Sequence, residues 1–176
     1  MSFIKCVNEP YNKKDDLRRM INYVCNKPNM IDYQIFGANI LNTEYALRSM
    51  NAVKRRFNNR DGKQLYQIII GIDPYQIKGF NEKKQFAHYV MYEVGSFIAN
   101  MGFQNVAAVH ARERIDNGYL GVQEENVHVH FILNSVSGID GHKLTNIRKF
   151  LNQIKCFANN NDSYIYGINI KEIYLQ

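Results

Sequence analysis

Apolar positions along this chain recur with two different spacings, and the changes between them mark out its elements. Ser2 to Val7 reads as a short strand. From Lys13 to Asn26, Leu17, Met20, Ile21 and Val24 take the i, i+3, i+4, i+7 spacing of one buried helical stripe, and Pro28 stops the helix. Thr43 is read as the cap of a second helix running to about Phe57 and burying Ala46, Met50, Val53 and Phe57. Gln64 to Ile72 reads as a strand whose Ile68-Ile69-Ile70 run suggests burial on both faces. Asn81 is read as the cap of a long helix through Phe86, Val90, Phe97 and Met101, closed by Gly102. Gln104 to Ala111 and Val127 to Val136 read as strands. Thr145 opens a last helix to about Phe157, and Ser163 to Ile170 reads as a final strand. The pattern predicts an α+β sandwich, with the sheet on one side and helices on the other.

Composition narrows the class. A chain of 176 residues with 45% hydrophobic and 22% charged residues suits one domain, 1–176, with a packed core. Cys6, Cys25 and Cys156 form no close pair, which excludes a disulfide framework or a Cys-based zinc ribbon. No apolar run reaches the ~18 residues of a membrane span, and no signal-peptide core opens the chain, so a soluble cytoplasmic domain is expected. The balance of 22 Lys and Arg against 16 Asp and Glu favours an anionic partner such as nucleic acid. Twelve Tyr and ten Phe leave aromatics for stacking on bases.

The chemistry concentrates in Asn126-Val127-His128-Val129-His130-Phe131-Ile132-Leu133-Asn134. In a strand, side chains two apart share a face, so His128 and His130 project together while Val129, Phe131 and Leu133 line the other side. Two neutral imidazoles side by side suit a divalent transition ion, and a third ligand with open positions would make that ion catalytic. His110, at the end of the apolar run Val106-Ala107-Ala108-Val109, is the natural third. The competing reading is a pair of hydrogen-bonded histidines on a polar face. Register decides part of it. A tight turn at Asn117-Gly118 would set His110 opposite Glu125 and His128 on the other face, so joint ligation requires a bulge or a longer loop.

His110 with His128-Val129-His130-Phe131-Ile132-Leu133-Asn134-Ser135-Val136 and Gly141-His142-Lys143-Leu144 resembles the metal motif of conjugative relaxases. These are mobilisation nucleases of the His-hydrophobe-His endonuclease superfamily, and the similarity is greatest to the MOBP-like group. Ile21-Asn22-Tyr23-Val24 followed by Gly37-Ala38-Asn39 resembles the motif that carries the nucleophilic tyrosine. The resemblance spans about residues 15 to 145. It implies an antiparallel five-stranded central sheet packed with helices, and a bacterial cytoplasmic protein from a plasmid or integrative element. It also implies single-stranded DNA at a transfer origin as partner, with accessory DNA-binding or coupling proteins, and either an isolated catalytic domain or a fragment of a longer protein.

Residue by residue, the resemblance makes Tyr23 the nucleophile that keeps a 5′-phosphotyrosine. His110, His128 and His130 become ligands of one divalent ion, Mn²⁺ or Mg²⁺ before Zn²⁺. Relatives tend to carry an acid or His at the position of Gln67, which still has an imidazole N–H to accept; Asn134 either helps orient a ligand or fixes the strand end. A covalent phosphotyrosine preserves the diester, so rejoining needs no ATP. A free phenol, with its pKa of about 10, is a poor nucleophile near pH 7 without help. Tyr23 flanks the buried stripe of its helix, about 110° from its centre at about 100° per residue, where an ordinary rim tyrosine would also sit. Tyr33 and, more weakly, Tyr11 are alternative nucleophiles. Lys54, Arg55, Arg56 and Arg60 read either as phosphate contacts or as a solvated helix end, and Arg112 flanks the metal motif. Two alternatives stay open: a rolling-circle initiator or transposase of the same superfamily, and a non-catalytic nucleic-acid-binding module.

Overall fold

The computed structural model describes residues 2–7, 9–38, 42–73, 77, 79–115, 123–162 and 170–175. Its elements are β1 (Phe3–Val7), α1 (Asp16–Cys25), β2 (Met30–Phe36), α2 (Thr43–Arg56), β3 (Leu65–Gly71), α3 (Phe80–Asn100), β4 (Asn105–Ile115), β5 (Gln123–Asn134), α4 (Ile147–Asp162) and β6 (Glu172–Leu175). The α1 stripe Leu17, Met20, Ile21 and Val24 is buried as its spacing requires. The cap of α2 is Asn42, one residue earlier than expected, its side chain accepting from the Tyr45 N–H at 3.0 Å. That helix buries Ala46, Leu47, Met50 and Lys54, while Val53 and Phe57 are only half-buried. α3 starts at Phe80 after Gly79, and Gly102 closes it at φ +94°, a conformation that suits a residue without Cβ.

Among the described residues six strands form one sheet in the order β2-β4-β5-β3-β1-β6. This corrects the expected five-stranded antiparallel sheet, because β1 pairs β6 in parallel while the other pairs are antiparallel. β2 was not expected at all. It is an edge strand with an irregular register between Met30 and Asp32, and its burial does not alternate, so no period of 2 announces it. The strand expected at Ser163 to Ile170 falls, up to residue 169, outside the described residues.

Helices cover both faces of the sheet rather than one. Ala107, Val109 and Ala111 of β4 with Val129, Phe131 and Leu133 of β5 pack against Phe86, Val90, Val94, Ile98, Leu151 and Ile154 of α3 and α4. On the opposite face Val106, Ala108, Ile132 and Leu65 pack against Leu17, Ile21 and Val24 of α1 and Ala46 and Met50 of α2. Strand alternation assigns His110, His128, His130 and Gln67 to this second face. The β4·β5 ladder runs in unbroken register from Asn105↔Leu133 to Ile115↔Gln123, which sets His110 directly opposite His128. Joint placement of the three histidines is thus achieved without a bulge, and the strands extend past the expected ends; the turn considered at Asn117-Gly118 lies outside the described residues. Gly71, the β3 partner of His128, gives close approach, since a Cβ there would lie 2.3 Å from the Phe3 ring.

Candidate active site

The three imidazoles form one cluster. Ring centroids are 5.4 Å apart for His110 and His128, 4.5 Å for His110 and His130, and 4.8 Å for His128 and His130. One ring nitrogen from each lies within 4.8 Å of the others, close enough to share an ion. Ala108 stands opposite His130 on the same face, and its small side chain leaves room for the rings. His110 and His130 are buried and His128 half-buried. Burial is the first cause holding His128 well below the usual range, at about 4, and His130 at about 2, and each is lowered further by the neighbouring histidines and the charge of Lys27. Burial also lowers His110, against a raising contribution from its bond to Val24. Three neutral imidazoles at neutral pH are three lone-pair donors, so the residues fit a divalent transition ion.

Hydrogen bonds set which nitrogen each ring offers. His110 Nε2 donates to the Val24 carbonyl at 2.7 Å, leaving Nδ1 as its lone pair. That carbonyl is free because its partner one turn on would be Pro28, which has no N–H, so the residue that ends α1 also fits the helix to the site. His128 Nδ1 donates to Asn126 Oδ1 at 2.8 Å, leaving Nε2. Gln67 touches His130, but with its amide Nε2 3.1 Å from Nδ1 rather than as an acceptor, because its Oε1 accepts from the Tyr11 hydroxyl at 2.9 Å.

Tyr23 lies on α1 one residue before Val24 and is 45% exposed. Lys27, one turn further, donates to the Tyr23 hydroxyl and places its ammonium 3.8 Å from the ring centroid. The same charge disfavours protonation of all three histidines. Tyr11 is buried, with its hydroxyl raised to about 12, chiefly by burial. Tyr33 is half-buried against the α1–α2 core. Exposed Arg112 follows His110 on the same face, paired with Asn126.

Two expected site residues belong elsewhere. Asn134 is fully buried, and its Nδ2 donates to the Met50 carbonyl at 3.1 Å and lies 3.4 Å from Gln104 Oε1, so it ties β5 to α2 rather than orienting a ligand. Lys54 is 2% exposed, and its ammonium donates to Gln64 O at 2.6 Å and Gln64 Oε1 at 3.1 Å, out of reach of a phosphate. Arg55, Arg56 and Arg60 are exposed, but at the Leu65–Asn134 end of the sheet. The four residues from His130 to Asn134 put that end roughly 13 Å along the strand from the nearest triad histidine. His88 pairs with Asp32 and His142 with Asp140, apart from the triad.

Sequence reasoning missed Lys27, Asn126 and the Val24 carbonyl. Each had a signal: Lys27 is four residues from Tyr23 on a helix, Asn126 extends the His128–His130 row by the same step of two, and Pro28 leaves the carbonyl four residues before it without a helical partner.

Helix α1, which carries exposed Tyr23, is thus joined through the Val24 carbonyl to a triad of strand histidines able to share an ion. The family model described as relaxase, MobA/VirD2-like, nuclease domain matches residues 23–160. The chain belongs to this family of relaxase nuclease domains. No curated protein and no solved structure matches it. Among the described residues no helix is long and apolar enough to cross a membrane.

Proposed function

We propose that this protein nicks and rejoins single-stranded DNA at the transfer origin of a plasmid or integrative element, with Tyr23 as nucleophile and one divalent ion at His110, His128 and His130. The observation that carries the reading is the seating of α1 on the triad: His110 bonds Val24, and Tyr23 stands exposed beside it with Lys27 at its hydroxyl. A donor set of three imidazoles favours Mn²⁺ or Zn²⁺ over Mg²⁺. An ion held there supplies Lewis-acid stabilisation of charge on the phosphate oxygens.

Tyr23 Oη bonds to phosphorus and the bond from phosphorus to the 3′ oxygen breaks. The phenolic proton goes to solvent, and the departing 3′ oxygen takes one from solvent. One diester replaces another, so reversal rejoins the strand. Lys27 holds a positive charge where the phenol oxygen meets the phosphate, which favours the negative charge that builds there. Arg112 binds a backbone phosphate beside the triad, and Arg55, Arg56 and Arg60 bind the strand further along.

Labelled oligonucleotides tiling the DNA around the gene, incubated with Mn²⁺ and run on a denaturing gel, test the reading. A protein–DNA adduct is expected with wild type and absent with Tyr23→Phe or chelator. An adduct that persists in Tyr23→Phe would assign the nucleophile to another residue. No adduct on any oligonucleotide would count against strand transfer.

A further inference from the structure

Tyr11 precedes the span matched by the relaxase family and touches no ring of the triad, yet its hydroxyl begins a chain of hydrogen bonds that ends there. Tyr11 Oη donates to Gln67 Oε1, Gln67 Nε2 faces His130 Nδ1, His130 Nε2 lies 3.1 Å from His128 Nε2, and His128 Nδ1 faces Asn126 Oδ1. The far end fixes the direction. An amide oxygen only accepts, so His128 carries its proton on Nδ1 and offers a lone pair at Nε2. His130 must then donate from Nε2, accept at Nδ1 from the Gln67 N–H, and leave Gln67 Oε1 to accept from Tyr11. Every link has one donor and one acceptor, and every group is neutral.

This direction puts the His130 proton on the nitrogen that an ion shared with His128 would need. Ligation through Nε2 requires the proton on Nδ1, and Nδ1 faces Gln67. The Gln67 amide must then turn its oxygen to His130 and its N–H to Tyr11, whose hydroxyl passes from donor to acceptor. A hydroxyl serves in both senses, and a carboxylate at position 67 would not need it to. Tyr11 and Gln67 are 4% and 5% exposed, so water is a poor substitute for either partner. Tyr11 is also held in place at some cost. Its φ is +44°, in the left-handed region sparsely used by residues with a Cβ, and its carbonyl accepts from the Gln64 N–H at 2.8 Å at the start of β3.

We propose that Tyr11 is a positioning residue for the metal: with Gln67 it forms a reversible hydrogen-bond relay that holds His130 as the Nε2–H tautomer without metal and as the Nδ1–H tautomer with it. The inference rests on the reading of the triad as a metal site. The proton count is unchanged across the switch, since Nε2 gives a proton to water and Nδ1 takes one from water, so His130 is neutral in both states.

The test pairs spectroscopy on wild type with a mutant cycle. Nitrogen-15 NMR of the imidazoles should show His130 protonated at Nε2 in the metal-free protein and at Nδ1 with Zn²⁺ bound. Tyr11→Phe should weaken Mn²⁺ binding about tenfold, within the range for partners of metal ligands, with the far-ultraviolet circular dichroism unchanged. In a Gln67→Leu background, where the relay is already cut, Tyr11→Phe should change Mn²⁺ affinity less than about twofold, as for a group that acts only through the lost one. The relay is overturned if His130 keeps one tautomer with and without Zn²⁺, if Tyr11→Phe binds Mn²⁺ as wild type does, or if its full penalty survives in the Gln67→Leu background. Failure of wild type to bind either ion would overturn the metal reading itself, and the relay with it. The wild-type spectra decide the matter even should Tyr11→Phe fold poorly.

Discussion

The two ends of the α1–α2 face of the sheet both bury polar side chains, but they use them differently. At the Leu65–Asn134 end, Lys54, Gln64, Gln104 and Asn134 spend their polar heads on one another, on the Ser49 hydroxyl and on backbone carbonyls, and of these four only Asn134 Oδ1 has no partner among the described residues. At the His128–Gly71 end, each histidine has one nitrogen fixed by Val24, Asn126 or Gln67, and the other aimed into the cluster. Burial alone therefore does not mark a functional group. The mark is a hydrogen-bond partner that orients a ring while its other nitrogen faces the neighbouring rings, here in triplicate.

Removing a ligand should give the largest effect. His130→Ala is expected to lower Mn²⁺ affinity by more than about a hundredfold, the upper range for losing even a ligand's partner, and to abolish adduct formation while the protein stays folded. Titration calorimetry and circular dichroism check the two halves. Asn134→Ala should do the reverse. It is expected to cost about 1–3 kcal/mol of stability, because a buried link between β5 and α2 is lost, with Mn²⁺ affinity of the folded protein unchanged. Loss of metal binding in Asn134→Ala, or unfolding in His130→Ala, would erase the contrast between the two ends.

Acid should sharpen it. Histidines held neutral by burial stabilise the fold above their unfolded pKa of about 6.5, and that stability is lost as pH falls from there through the folded values. For His128 the window runs down to about 4. Denaturant melts of metal-free protein should show a loss of about 2 kcal/mol for each of His128 and His130 between pH 7 and 5. His130→Ala should remove part of that dependence, whereas Asn134→Ala should keep all of it.

The smallest effect concerns DNA. Arg112→Ala should weaken single-stranded binding a few-fold and reduce the salt slope by about 0.7, as measured by fluorescence anisotropy across a salt series. Lys54→Met should leave that slope unchanged, because its ammonium faces Gln64.

How far the sequence could be read follows from the same physics. The α1 stripe, the strands of β3, β4 and β5 and the shared face of His128 and His130 were legible because regular periods force them. β2 was not, since a bulged edge strand has no clean alternation, and the parallel β1·β6 pair joins segments far apart in sequence. The β4·β5 register was not legible, because strand periodicity fixes which face a residue takes and not which residue it pairs with across the ladder. Lys54 was misread because it adjoins Arg55 and Arg56. Its spacing from Leu47 and Met50 put it on the buried stripe, and the helix is turned by about one position from the expected Val53–Phe57 face. Asn134 shares a strand face with His130, but periodicity fixes the face and not the distance along it.

The most direct measurement is peptide mapping, by mass spectrometry, of the covalent species formed with a cleavable single-stranded oligonucleotide and Mn²⁺. DNA is expected on the peptide that carries Tyr23, with no such species from His130→Ala. DNA on a peptide carrying Tyr33 or another tyrosine, or an undiminished yield from His130→Ala, would contradict the proposed reaction.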